Sequence, residues 1–191
     1  MKSSPGLWSE FIPLAFHVDY WDYIGWPDRF AAEEYTERQY QHAAEQSMRT
    51  VYTPGFFLDG KEYRWRRREL ARELPRSEPG VLRLDVADRD ATVHFEPASE
   101  HDRLTVTVAL LGFGIQTDVG AGENRGRTLT HDFVVLDLAA VPMNRSGEAF
   151  TAMLKAPDRD VEAERYALVA WVTPRGSQQP IQSTGGWWDA G

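Results

Sequence analysis

From Val81 to Trp188 the chain is cut into short apolar runs by Asp, Asn, Gly and Pro, and that rhythm limits the folds open to it. The runs are Val81–Val86, Ala91–Phe95, Leu104–Leu111, Phe133–Leu138, Phe150–Lys155 and Tyr166–Val172, with Ile181–Trp188 as a seventh. All are short for helices, and several alternate apolar with polar residues, the period of a strand with one face in a core. Strands at this spacing predict a β-sandwich over residues 79–191.

Residues 1–78 read differently. The continuous apolar run Phe11–Val18 predicts a short strand buried on both faces. The Glu-, Gln-, Arg- and Ala-rich stretch that follows predicts a helix from about Phe30 to Ser47. Asp28 is its candidate cap, and Tyr40, Ala43, Ala44 and Ser47 form its apolar face. Phe56–Leu58 and Glu62–Trp65 flank Asp59-Gly60 as a β-hairpin, and Arg66–Leu74 suits a short helix stopped by Pro75. Pro75, Pro79 and Gly80 bracket a polar stretch, which places the boundary at Arg76–Gly80. The fold class expected is therefore α+β, with an α/β unit at 1–78 and a β-sandwich-like unit at 79–191.

Bulk properties exclude several function classes. The net charge of −8 and pI near 5.1 disfavour nonspecific binding to nucleic acid or anionic membranes. The basic, aromatic-bearing run Lys61–Arg68 does not change that, because Glu62, Glu69 and Glu73 lie in and beside it. No apolar stretch approaches the roughly 18 residues of a membrane span. Residues 1–10 lack the apolar core of a signal peptide. Cysteine is absent, which removes disulfides, thiolate ligands, iron–sulfur clusters and any thiol nucleophile from these 191 residues.

Two stretches concentrate chemistry. The first, His17–Pro27, sets His17, Asp19 and Asp22 among Tyr20, Trp21, Tyr23 and Trp26. Those three polar side chains are candidates for an acid/base or metal site, but their scattered spacing is no metal signature. The plainer assignment has the carboxylates bonding turn amides while the aromatics pack. The second, Gly120–Arg127, is a Gly-rich loop in which Glu123, Asn124, Arg125 and Arg127 offer polar contacts, closed by His131-Asp132. The arginines present fork donors for a carboxylate or phosphate. The loop lacks the Lys-Ser/Thr ending of a P-loop, and it reads equally as a long hairpin loop bonding its own backbone. No Gly-x-Ser-x-Gly elbow announces a hydrolase.

Phe16–Trp26, Thr36-Glu-Arg-Gln39, Val51-Tyr-Thr-Pro54, Asp59-Gly60 and Gly122–His131 occur in an order that resembles the DUF1223 family. The resemblance implies a thioredoxin-like domain followed by a β-sandwich-like one, in exported, periplasmic bacterial proteins. Members of the family open with a strand and helix carrying Cys-x-x-Cys, and this chain begins after that unit. On the thioredoxin pattern Phe11–Val18 is the second core strand and Phe30–Ser47 the second helix. Phe56–Leu58 and Glu62–Trp65 become the closing antiparallel pair. Pro54 then matches the Pro held in cis beside the active site, so Thr53 and Pro54 join the candidate site as a loop that pairs with an extended peptide. Gly55 stands where the family commonly has Gln.

Without the first strand, Phe11–Val18 and Phe56–Leu58 have no shared neighbour, and their backbone groups need another partner. Either the reading frame starts upstream of Met1, or the sheet is remodelled or completed by another chain, a homodimer included. The expected function is a non-catalytic binding or structural role with a protein or peptide partner, and no cofactor or metal. The alternative is a thiol-disulfide oxidoreductase whose Cys-x-x-Cys lies upstream. A third, a hydrolase or metal enzyme, would be built on His17, Asp19 and Asp22.

Overall fold

The computed structural model of the protein describes residues 2–24, 27–63, 79–120, 126–158 and 160–189. In chain order it holds a 3₁₀ turn at Asp22–Ile24, helix α1 (Glu33–Glu45), and the two-residue strands β1 (Phe57–Leu58) and β2 (Lys61–Glu62). β3 (Gly80–Ala87), β4 (Asp90–Pro97), β5 (Leu104–Phe113), β6 (Ile115–Asp118) and β7 (Thr128–His131) follow. β8 (Val134–Pro142), β9 (Asn144–Ser146), β10 (Ala149–Lys155), β11 (Arg165–Pro174) and β12 (Gln182–Trp187) complete the series. All seven apolar runs of the second half are strands. The predominance of antiparallel strands over a single described helix is an α+β arrangement weighted to β.

Two four-stranded antiparallel sheets, in the orders β3-β4-β10-β9 and β12-β11-β5-β8, face each other. Leu82, Val93, Phe95, Phe150 and Ala152 from the first meet Val106, Val108, Leu110, Leu168, Ala170 and Val172 from the second in one core. Phe95 and Phe150 are essentially sealed from water, each contributing about 2–3 kcal/mol by burial.

The second sheet is covered on its other face as well. Ala109, Leu111, Phe113, Val135, Val169 and Trp171 pack there against Leu7, Tyr35, Phe11, Ile12, Leu14 and Phe16. This explains why β5 and β11 read as near-continuous apolar runs while β3 and β4 alternate: a strand clothed on both sides needs no polar face.

The covering layer departs from expectation in both its lead-in and its helix. Phe11–Val18 is extended but is not a strand, and its residues are half-buried rather than sealed. It makes isolated parallel bridges, Leu7 to Phe11, Ala15 to Val134 and His17 to Ala31. The Ala15 N–H donates to the Phe133 carbonyl at 2.9 Å, and Val135 N–H donates to the Ala15 carbonyl at 3.0 Å. Pro13 has no N–H to give, which interrupts any continuous ladder. Part of the segment's backbone demand is thus met from the sandwich, and no pairing joins it to Phe57–Leu58 among the described residues.

The helix is shorter than predicted and turned differently. Tyr35, Thr36, His42 and Ala43 form its buried stripe. Of the face expected from sequence only Ala43 is buried, and Tyr40 is 51% exposed. The reason lies in polar residues with specific partners: His42 stacks on Phe57 of the hairpin with ring centroids 4.6 Å apart, and Thr36 bonds Asp19. Nor does Asp28 cap the helix. The N-cap is Ala32, without a side-chain bond, and Asp28 instead accepts from the Phe30 N–H at 2.9 Å in a local turn.

The predicted hairpin turns at Asp59-Gly60, both with positive φ (48° and 77°), the geometry of a two-residue turn. Arg64 and Trp65, the helix expected over Arg66–Leu74, and residues 76–78 of the expected boundary lie outside the described residues.

Candidate functional site

His17, Asp19 and Asp22 each have a definite partner. Asp19 accepts from the Thr36 hydroxyl at 2.6 Å, and its own N–H donates back to that oxygen at 3.2 Å. Asp22 accepts from the Asp28 N–H at 3.1 Å. His17 Nδ1 lies 2.5 Å from Asp28 Oδ2. The three side chains proposed as one acid/base or metal set therefore diverge to three different partners. Among the described residues no cluster of three His, Asp or Glu is disposed to hold a metal ion.

The structure instead joins residues from two separate sequence candidates. The His17 and His131 rings meet edge to face with centroids 5.8 Å apart, and Phe30 closes the triangle at 5.5 and 5.7 Å. His131 Nε2 is buried without a hydrogen-bond partner among the described residues. Burial and then the neighbouring His17 hold His131 below the usual histidine pKa. Burial alone would raise the Asp28 carboxyl. The His17 bond, the Phe30 amide and the histidine charges outweigh it and leave the group below its ordinary value. Asp28 was legible only as a cap; its pairing with a residue eleven positions back is a tertiary fact with no local sequence signal.

The aromatics gather on another face. Trp21 is 46% exposed and stacks with Tyr23, which is 79% exposed. The Trp21 Nε1–H donates to Thr53 Oγ1 at 2.7 Å. Thr53 and Pro54 are exposed, and the peptide bond between them is cis. A brace runs behind this loop. The Tyr20 hydroxyl donates to Gln39 Oε1 at 3.0 Å, and Gln39 Nε2–H donates to the Tyr52 carbonyl at 2.9 Å. A Cβ on Gly55 would stand 3.2 Å from that nitrogen, so glycine lets the amide approach. Tyr52 OH donates to Glu62 Oε1 at 2.6 Å, which ties the loop to β2. Gln39 was missed as a site residue, although Thr36–Gln39 stood out as a motif.

Gln39, Met48, Val51, Tyr52, Gly55, Phe57 and Glu62 surround a gap at this loop that is too tight to admit a water molecule. The main-chain groups of Thr53 have no partner among the described residues. Of the second-half loop, Arg127 is exposed and its carbonyl accepts from Val119 N–H at 2.8 Å, closing the β6–β7 hairpin. Glu123, Asn124, Arg125 and, in the first stretch, Trp26 lie outside the described residues. No described helix is long and apolar enough to cross a membrane.

The model of the family described as "Protein of unknown function (DUF1223)" matches residues 2–173. The chain belongs to the DUF1223 family. A crystal structure of a protein from Agrobacterium tumefaciens resembles this DUF1223 chain with a TM-score of 0.62 at 21% identity. The match covers 90% of this chain and 78% of that one, and at that identity it speaks for the fold alone. HBP35 of Porphyromonas gingivalis overlaps at a TM-score of 0.42 and 16% identity, over 56% of this chain and 40% of that one, too loosely to bear on the argument. No curated protein matches this DUF1223 chain.

Proposed function

We propose that this DUF1223 chain is a non-catalytic binding protein, and that the Trp21–Thr53 face holds an extended segment of a protein or peptide partner. The observation that carries this reading is an exposed indole fixed by its N–H to an exposed loop whose Thr53 main-chain groups lack partners among the described residues. Free backbone groups on an exposed loop are what an added extended segment uses for affinity, and flanking aromatics supply area at low entropic cost. The adjacent gap has no room even for a water molecule, which favours a ligand laid across the surface over an enclosed small molecule.

A thioredoxin-like origin for residues 1–78 belongs to this proposal. The order of helix, Thr53–Pro54 loop and antiparallel pair supports it. A redox role would rest on residues outside these 191, since no cysteine within them can supply a thiolate.

Peptide display against the purified chain tests the binding reading. Selected peptides should bind the unaltered chain and lose binding in Trp21→Ala and Tyr23→Ala. Met153→Ala, 75% exposed on the outer face of the first sheet, should keep it. Failure to enrich any peptide, or enrichment indifferent to Trp21 and Tyr23, would overturn the assignment.

A further inference from the structure

We propose that His17, Asp28 and His131 form a proton-operated latch fastening residues 15–24 and the turn at Asp28 to the corner between β7 and β8. The inference does not depend on the binding reading above, because it concerns how the segment is held rather than what it holds.

The segment meets the corner at two successive points. Ala15 makes its two backbone bonds to Phe133 and Val135, and His17 packs on His131. Asp28 braces the second point from within the segment by pairing with His17, while Phe30 packs on both rings. The His17–His131 contact is the sensitive one. A neutral imidazole tolerates a nitrogen without a partner, whereas an imidazolium carries two N–H donors, and His131 Nε2 is sealed with no acceptor among the described residues.

The charged groups around that ring offer little relief. His17 faces it from the lead-in, Asp28 and Arg29 from the turn before α1, and Asp132 from its own strand end. Asp28 is already engaged by His17 Nδ1 and the Phe30 amide. Asp132 Oδ1 accepts from Lys2 Nζ and from the Gly114 N–H, each at 3.1 Å. Arg29, stacked over Phe30 at 4.7 Å, adds a second cation.

The corner itself is strained. Phe133, two residues beyond His131, has φ 62°, a left-handed conformation that costs a bulky residue on the order of 1–2 kcal/mol. Phe133 is held there by its edge contact with Phe113 and by the Ala15 bond to its carbonyl.

The direction follows from linkage. His131 has a lowered pKa in the closed state, so the open state binds the proton more readily. The closed latch is fully favoured above the ordinary histidine value, and its advantage is lost as pH falls from that value through the lowered one. Because the same segment carries Trp21, opening would loosen the bond to Thr53.

Hydrogen exchange followed by mass spectrometry, from about pH 7.5 to 5 and corrected for intrinsic rates, tests the latch across the histidine range. Exchange in peptides covering residues 11–24 should rise several-fold on acidification, while β5 and β11 stay unchanged. His131→Phe, which keeps an aromatic ring and removes the proton, should abolish the rise. A pH-independent lead-in, a rise shared equally by β5 and β11, or an unaltered rise in His131→Phe would each overturn the proposal. Should His131→Phe fail to fold, ring titration by NMR in the unaltered protein decides. Titration of His131 below free histidine, in step with the exchange change, supports the latch. Titration at or above the free value overturns it.

Discussion

The Trp21 indole N–H and the Thr53 hydroxyl oxygen lie 2.7 Å apart across 32 residues of sequence. This bond is the direct tether from the 3₁₀ turn to the Thr53–Pro54 loop, and it is exposed to water. Trp21→Phe keeps a smaller ring for Tyr23 to stack on and removes the donor. The expected loss is about 0.5–1 kcal/mol, at the low end for a hydrogen bond in contact with solvent. Midpoint stability should barely move, while amides at Val51–Phe56 exchange faster. Unchanged exchange there would show that the tether restrains nothing.

Gly80 opens β3 with φ +119°, and a Cβ at that position would lie 2.2 Å from the Glu96 carbonyl oxygen and 2.7 Å from the Pro97 Cα. Both obstacles are backbone of the paired strand β4, so neither can swing aside. Gly80→Ala should cost more than about 2 kcal/mol by denaturant unfolding, combining a forbidden backbone region with a direct clash. A loss under about 0.5 kcal/mol would mean that the β3–β4 register in solution differs.

His42 is buried against Phe57, and its pKa is pushed down to about 4 by burial and then by Arg38, against the opposing pull of the Gly60 carbonyl and Glu45. The unfolded chain binds this proton near pH 6.5 and the folded chain only near the lowered value. Stability is therefore complete above about 6.5 and lost as pH falls toward 4, with an upper bound of about 3 kcal/mol. His42→Gln should flatten this part of the stability-against-pH curve. An undiminished slope in the variant would assign it to other groups.

Arg38 lies between the rings of Phe16 and Trp171, 5.0 and 5.2 Å from their centroids, and donates to the Gln178 side chain. Burial lowers its pKa to about 10, with Glu45 opposing. The guanidinium thus packs the helix onto both the lead-in and the second sheet. Arg38→Ala should cost about 2–3 kcal/mol by chemical denaturation, from lost stem packing and cation–π contact together. Arg38→Met, which refills the volume, should recover part of it. Equal losses in the two variants would remove packing from the account.

Much of the sandwich was legible because strand periodicity is local: Val93, Phe95, Val106 and Val108 declare their inward faces by alternation alone. The short strands β6, β7 and β9 were not, since Gln116, Thr130 and Asn144 are polar residues paired near the rim or in hairpins. Phe11–Val18 misled because an apolar run records burial and not hydrogen bonding. It covers a sheet without joining one. The helix face was misread because Thr36 and His42 are buried through specific partners that hydrophobicity does not reveal. In the candidate site, Trp21 and Thr53 were both singled out, but the His17–His131 contact spans 114 positions and left no trace in either neighbourhood.

A fragment beginning at Pro79 would carry Leu111, Phe113, Val135, Val169 and Trp171 uncovered, a contiguous oily expanse of the several-hundred-Å2 size at which soluble proteins start to adhere to one another. The helix and lead-in therefore act as a dust jacket for the central sheet. Dissecting the molecule at its change of character would yield an adhesive remnant, and any assay of the sandwich by itself would report on clumping before it reported on activity.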